Sequence, residues 1–284
     1  MSAYQFLNKS HLRTNLAKAK SYHAHPDTTD NSADFLLRWA EQELSNRLED
    51  IKRDFIQTAL ISPAPSQDFI ETLKKRSQTV ELYNGIGLEN NEQVPFSPQS
   101  QDLIVSLFDI HKINDLPGWL IQIRQSLKED GVFLACYAGE NTLFQLRQSL
   151  LAAEMKTMGG ASPRVLPFVG KQQISGLLQR TGYALPVVDS ETVTVVYQDL
   201  YQLMNDIRHM GEANAMTERH KFFTPSRMFF EAAEIYKQRF SESGGKIPAT
   251  YEITFIIGWA PSDTQQKPLR RGSGQVHLST ILED

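Results

Sequence analysis

Residues Ser100 to Tyr137 read SQDLIVSLFDIHKINDLPGWLIQIRQSLKEDGVFLACY, and this stretch decides the fold. Leu103 to Phe108 is a continuous apolar run bounded by polar residues, the pattern of a strand buried on both faces. Asp115 then offers an N-cap with Pro117 in the first turn, and Leu120, Ile123 and Leu127 form the buried stripe of a helix. Gly131 closes that helix, and Val132 to Tyr137 returns as a second apolar strand. Strand, helix and strand of these lengths form the unit from which parallel sheets are wound.

The same alternation extends outward in both directions. Upstream, Phe35, Leu36, Trp39, Ala40, Leu44, Leu48, Ile51 and Phe55 recur at three- and four-residue steps, which predicts a helix from Ala33 to Phe55. Asp30, Asn31 and Ser32 are its candidate N-caps. A short strand (Thr58 to Ile61), a helix (Phe69 to Lys75) and a second strand (Val80 to Tyr83) follow. Downstream come a helix from Glu140 to Met155, a turn-rich loop from Gly159 to Pro167, and a helix from Gln172 to Thr181. Val187 to Tyr197 reads as a strand, Leu200 to Ile207 as a helix stopped at Gly211, Arg227 to Phe240 as a helix, and Tyr251 to Trp259 as a strand. The pattern predicts an open α/β sheet with helices on both faces, over residues 33–260. A basic arm (1–32) precedes it and a polar tail (261–284) follows.

Composition bounds the function. Of 284 residues, 40% are hydrophobic and 22% charged, enough apolar material for a core. A net charge of −4 gives no global reason to bind nucleic acid or an acidic membrane. Cys136 is the single cysteine, which excludes an intrachain disulfide and any cysteine-rich zinc site, and no metal site is expected. It reads as a buried small hydrophobe. No apolar run approaches the roughly 18 residues of a spanning helix. The expectation is a soluble, cytoplasmic protein with no integral membrane segment. The first 25 residues carry Lys9, Arg13, Lys18 and Lys20, no acid, and no apolar stretch of an export signal. They read as a loosely docked arm, with a transit peptide as the alternative and His23 and His25 as a solvated pair.

Several longer strings are more particular. They are His111-Lys112-Ile113-Asn114-Asp115-Leu116-Pro117-Gly118, Thr142 to Arg147 (TLFQLR), Gly159 to Val165 (GGASPRV), Leu185 to Asp189 (LPVVD), Gly258 to Pro261 (GWAP) and Gln265 to Leu269 (QQKPL). Together they resemble the methyltransferase-like family of the mitochondrial complex I assembly factor and its alphaproteobacterial relatives. That family is itself similar to the biotin-pathway methyltransferase acting on malonyl carrier protein. The resemblance covers residues 33–272. It implies a class I (Rossmann-like) methyltransferase fold, with Ser100 to Tyr137 carrying the fourth and fifth strands. It also implies S-adenosylmethionine as cofactor and a subunit of NADH:quinone oxidoreductase as partner. The activity it implies is hydroxylation of an arginine on such a subunit. Membrane association would then be peripheral, through that partner.

The first cofactor loop departs from this pattern. Class I methyltransferases carry glycines after the first strand, because a side chain there blocks backbone approach to the cofactor. Here that place is held by Ser62-Pro63-Ala64-Pro65-Ser66, and none of the 16 glycines precedes Gly85. Two prolines also remove two N–H donors. The second strand ends on Asn84 where an acid would hold ribose hydroxyls. Ile61 to Val94 is a span of 33 residues, whereas one crossover unit alone takes about 30. One strand or helix of the first half is therefore expected to be shortened or lost. Ser62, Ala64, Ser66, Asn84 and Asp109 are the candidate cofactor contacts of a degenerate S-adenosylmethionine site, and an unconventional binding mode is the alternative.

Candidate chemistry gathers after the third and fourth of these strands. His111 and Asp115 follow a strand end, where an open sheet places its ligand crevice. His111 is a candidate base and Asp115 a catalytic candidate that also reads as an N-cap, with Asn114 a turn residue. Glu140, Arg147 and Arg164 read either as a local ion-pair set or, at Arg147 and Arg164, as contacts to a substrate or partner. Trp259 and the Gln265 to Arg271 stretch, with Lys267, Arg270 and Arg271, form a third partner candidate or a solvated tail. Three functional readings stay open: a complex I assembly factor-like protein, an active methyltransferase on a small or carrier-bound acid, and a non-catalytic protein-binding pseudoenzyme.

Overall fold

The computed structural model describes residues 5–23, 34–85, 92–241 and 244–266. Helices α1 (Lys9–His23) and α2 (Phe35–Asp50) lead into β1 (Phe55–Ile61), α3 (Gln67–Arg76) and β2 (Ser77–Tyr83). Then come β3 (Gln101–Leu107), α4 (Leu116–Ser126), β4 (Leu127–Ala138), α5 (Phe144–Met158) and α6 (Lys171–Arg180). The chain finishes with β5 (Ala184–Tyr197), α7 (Leu200–His209), α8 (Ser226–Phe240) and β6 (Ile247–Trp259). The six strands lie in the order β2-β1-β3-β4-β6-β5. The first four are parallel, and β6 runs antiparallel to both of its neighbours.

The period-two alternation of the central strands divides the core. Leu103, Val105 and Leu107 of β3 join Val132, Leu134 and Cys136 of β4 on one face, under α2, α3, α5, α7 and α8. Ile104, Phe133, Ala135 and Tyr137 face the other side, covered by α4 and α6. Both faces are dry, so the strands read as unbroken apolar runs. Burial pushes the Cys136 thiol up to about 12, as suits a small hydrophobe. Between β2 and β3 the described residues hold no strand or helix, so β2 forms the sheet edge and the first half is shortened. The strands expected as fourth and fifth are the third and fourth of this sheet. Among the described residues no helix is long and apolar enough to cross a membrane.

Three elements end where their periodicity alone does not end them. Helix α2 stops at Asp50, because the Arg76 guanidinium takes the carbonyls of Ile51 (2.5 Å) and Arg53 (2.6 Å) and draws the chain out. Phe55 is buried in β1 instead of on a helix, so its spacing reports burial and not helical phase. Helix α4 stops at Ser126, and Leu127 already pairs with Gln101. The next residues bulge out before Val132 pairs with Leu103, with Asp130 at φ 60° and its carbonyl held by Arg53 at 2.7 Å. Gly131 is required there, since a Cβ would lie 2.8 Å from the Lys128 carbonyl. Helix α5 begins at Phe144 and not at Glu140, because residues 139–143 form a turn tied to β6.

Candidate functional site

Three loops at the carboxyl ends of the parallel strands form the floor of the site. After β1, Ser66 caps α3 by accepting from Phe69 N, and its own N–H donates to Glu41 at 2.7 Å. Arg38, ion-paired with Glu41, donates to the Ala64 carbonyl. The Ser62 hydroxyl is buried without a partner. After β3, Asp109 is buried and leads into a 3-10 turn over Ile110–Lys112. After β4, Gly139 N and Thr142 Oγ1 donate to the Glu252 carbonyl, and Asn141 N donates to its carboxylate.

The segment expected as a loosely docked arm is, over its described residues, the roof of this site. Leu12 and Ala19 of α1 are buried. The Lys9 ammonium is buried, ion-pairs with Glu92 and donates to the Lys112 carbonyl at 2.7 Å. Burial lowers its pKa against the pull of the Glu92 carboxylate. Glu92 also accepts from Asn114 N and Asp115 N, so one carboxylate joins α1 to the β3–α4 loop. The Asn114 side chain, read as a turn residue, bonds both backbone groups of Leu7. At the far end Tyr22 stacks on His209 at 3.3 Å. His23 Nε2 donates to the His209 carbonyl, so this histidine is engaged, and His25 lies outside the described residues. Asp30, Asn31, Ser32, Lys267, Arg270 and Arg271 lie outside them as well.

Under that roof the expected cofactor crevice is nearly closed. Pro63, Asn84, Asp109 and Lys112 face Leu12 and Leu16 across a space of about 10 Å³. That is room for about one water.

Beside the crevice lies a cavity of about 330 Å³, lined mostly by apolar side chains such as Phe108, Leu146, Leu166, Met204 and Ile253. His111 and Arg164 are in its wall. The His111 side chain is 3% exposed, and its Nε2 lies 3.2 Å from Glu212 Oε2. Lys112 Nζ holds the other carboxylate oxygen at 2.7 Å. Burial opposes the Glu212 charge, but Lys112 and His111 outweigh it and hold the carboxyl down at about 2. An ionised Glu212 accepts, which places a proton on His111 Nε2. Nδ1 is buried and has no partner. Arg164 donates through Nη2 to Glu154 at 2.7 Å, while its Nε is buried without a partner. Both nitrogens are enclosed by protein, so His111 and Arg164 border the cavity without presenting these atoms to its interior.

The other sequence candidates sit elsewhere. Asp115 is exposed and caps α4 by accepting from Gly118 N, and it is not in the cavity wall. Arg147 braces the turn after β4 through the Glu140 and Thr142 carbonyls, and it pairs with neither Glu140's carboxylate nor Arg164. Trp259 is half-buried at the end of β6, level with Val132 and Ala184. Gln265 folds back onto Asp130 and the Ala260 carbonyl, so the start of the tail is tied down. Sequence reasoning missed Lys9, Glu92, Glu154 and Glu212. Among the described residues no group of three or more His, Cys, Asp or Glu is arranged to hold a metal ion.

Four parallel strands, one inserted antiparallel strand, and loops gathered at the carboxyl ends define a class I methyltransferase-like fold. A candidate methyltransferase from Bacillus halodurans shares that fold, with a TM-score of 0.50 over 78% of this chain and 99% of its own at 12% identity. In sequence, the human mitochondrial arginine-hydroxylase NDUFAF5 is 33% identical over 264 residues, covering 87% of this chain and 76% of the relative. The Dictyostelium discoideum arginine-hydroxylase NDUFAF5 is 45% identical over 184 residues, covering 64% of this chain. The chain belongs to the methyltransferase-like family of the NDUFAF5 arginine hydroxylases. It spans less than half the length of the Dictyostelium relative, 42%. No protein-family model matches it.

Proposed function

We propose that this protein is a complex I assembly factor-like member of its family. In this reading it binds a subunit of NADH:quinone oxidoreductase and takes one of that subunit's arginine side chains into the cavity for hydroxylation, with dioxygen as oxidant and an external two-electron reductant, one oxygen atom entering the C–H bond and the other leaving as water. The observation that carries the reading is the 330 Å³ cavity at the strand ends, mostly apolar in its lining but edged by His111 and by the acids Asp34 and Glu212. Pockets of this size and lining suit a single long side chain or small ligand. An arginine's methylenes would lie along the apolar wall, with its guanidinium toward the acids of the lining, Asp34 and Glu212. His111 is the catalytic candidate, oriented by Glu212. Asp115 contributes by holding the start of α4, next to the loop that carries His111. Arg147 and Trp259, outside the cavity, are candidate contacts to the partner's surface, and Arg164 is the contact within it. The protein would work in the cytoplasm, peripheral to the membrane that holds its partner.

S-adenosylmethionine is the cofactor that the fold family implies. Ser62, Ala64, Ser66, Asn84 and Asp109 are its proposed contacts, and Ala64 borders the cavity. Affinity capture from cells, followed by peptide mass spectrometry, tests the reading. A complex I subunit should co-purify and carry one added oxygen on an arginine, and that oxygen should vanish when the gene is deleted. Capture without any such modification would favour the non-catalytic binding protein, which the filled crevice supports. A second reading, methyl transfer to a small or carrier-bound acid, is supported by the place of Arg164 in the cavity lining, since an arginine fork suits a carboxylate. Calorimetric titration with S-adenosylmethionine separates it from the first: micromolar binding with methylation of an acid would replace the arginine reading.

A further inference from the structure

Phe222 and Phe223 are 82% and 86% exposed, the most exposed large apolar side chains among the described residues. They are adjacent in the loop between α7 and α8, within Arg219-His220-Lys221-Phe222-Phe223-Thr224-Pro225-Ser226-Arg227. The loop itself is anchored. Arg219 lies 3.1 Å from His11 Nε2, Arg164 Nη2 lies 3.4 Å from the Thr224 hydroxyl, and Arg227 donates to the Thr157 carbonyl at 2.8 Å. Two aromatic rings are therefore held out into solvent by a fixed backbone. Phe230 and Met155, each 61% exposed on α8 and α5, add to the apolar surface of this region. Lys156 of α5 and Glu231 of α8 ion-pair at 2.6 Å and keep these helices together.

Charge surrounds the rings on one side of the balance. Lys221 and Arg227 are exposed beside them, while Arg219 is half-buried against His11. We infer that this loop docks the protein onto an anionic lipid bilayer, with both rings at the acyl boundary and Lys221 and Arg227 among the phosphates. A protein partner fits less well. A stable protein interface covers about 800 Å² on each side, and a two-residue tip with cations at both ends is not a groove of that extent. An interfacial bilayer layer accepts single aromatic wedges and spreads negative charge around them. The chain's net charge of −4 makes the attraction local and salt-sensitive. Through Thr224 and Arg164 the docking loop is one contact from the cavity wall.

Co-sedimentation of the full chain with vesicles of phosphatidylcholine, with and without phosphatidylglycerol, tests this. Binding should be strong only with phosphatidylglycerol and should fall with added salt. Phe222→Ser with Phe223→Ser should lower partitioning on the order of tenfold, and Lys221→Ala roughly fivefold, with the circular dichroism spectrum and Tm unchanged. No binding to either vesicle, or equal binding by the double variant, would overturn the inference. A dimer in sedimentation velocity that the same double variant abolishes would assign the rings to a second copy instead.

Discussion

Glu212 reaches across 101 residues to place Oε2 at 3.2 Å from His111 Nε2, and Lys112 keeps that carboxylate charged. The result is a buried imidazole held in one orientation at the edge of the cavity. Such an arrangement orients a base without consuming it.

The charge on Glu212 couples stability to pH. Its carboxyl sits near 2 in the folded protein, below the ordinary 4.5, so its contribution is complete above about 4.5 and is lost as pH falls toward 2. Urea unfolding midpoints measured from neutral to acid pH should drop through this window. Glu212→Gln should flatten the drop and cost about 1–2 kcal/mol at neutral pH. An unchanged slope would show that the carboxylate is not held down.

Lys9 and Glu92 form the latch of α1, with the Lys9 side chain 3% exposed. Removing one member of a buried pair costs about 3–5 kcal/mol, because the other charge is left dry. Lys9→Met should therefore release α1, read as faster amide hydrogen exchange over residues 9–23. It should also make S-adenosylmethionine binding easier to detect by calorimetry, since Leu12 and Leu16 would leave the crevice. Retained protection over α1 would mean that its apolar face alone holds it.

Glu154 anchors the loop after α5. Its carboxylate is 3% exposed and accepts from Ser162 N, Ser162 Oγ and Arg164 Nη2. Burial resists the charge, yet Arg164 and Ser162 hold the pKa below the usual value. Glu154→Gln is expected to lower stability by about 2 kcal/mol, seen in Tm, and to loosen residues 159–167 in hydrogen exchange. A Tm equal to the parent's would refute the anchor.

Two glycines make a paired test of packing. At Gly258 a Cβ would lie 2.7 Å from the ring of Tyr183, which is buried and donates to the Leu120 carbonyl. Gly258→Ala should destabilise by about 1–3 kcal/mol. Gly176, inside α6, has open space around its would-be Cβ. There alanine should stabilise by up to about 1 kcal/mol through helix propensity. Thermal unfolding of both variants gives opposite signs, and equal signs would contradict the packing described.

The alternation of strands and helices, the dry central strands Leu103 to Phe108 and Val132 to Tyr137, the Asp115 cap and the missing glycine loop could all be read along the chain. Each is a local property: periodicity shows which side of an element is dry, and side-chain type shows what a turn permits. The shortened first half was legible for the same reason, since 33 residues cannot hold two crossover units. Other features needed the folded chain. Phe55 has the spacing of a helix yet sits in β1, because Arg76 pulls the preceding carbonyls out of line. A basic segment without acids became the docked roof because Glu92, 83 residues on, supplies the missing charge. Nothing near His111 in sequence marks Glu212 as its partner. Ion pairs of this kind depend on which charges folding brings within a few ångströms while shielding them from water, and only the tertiary structure decides that.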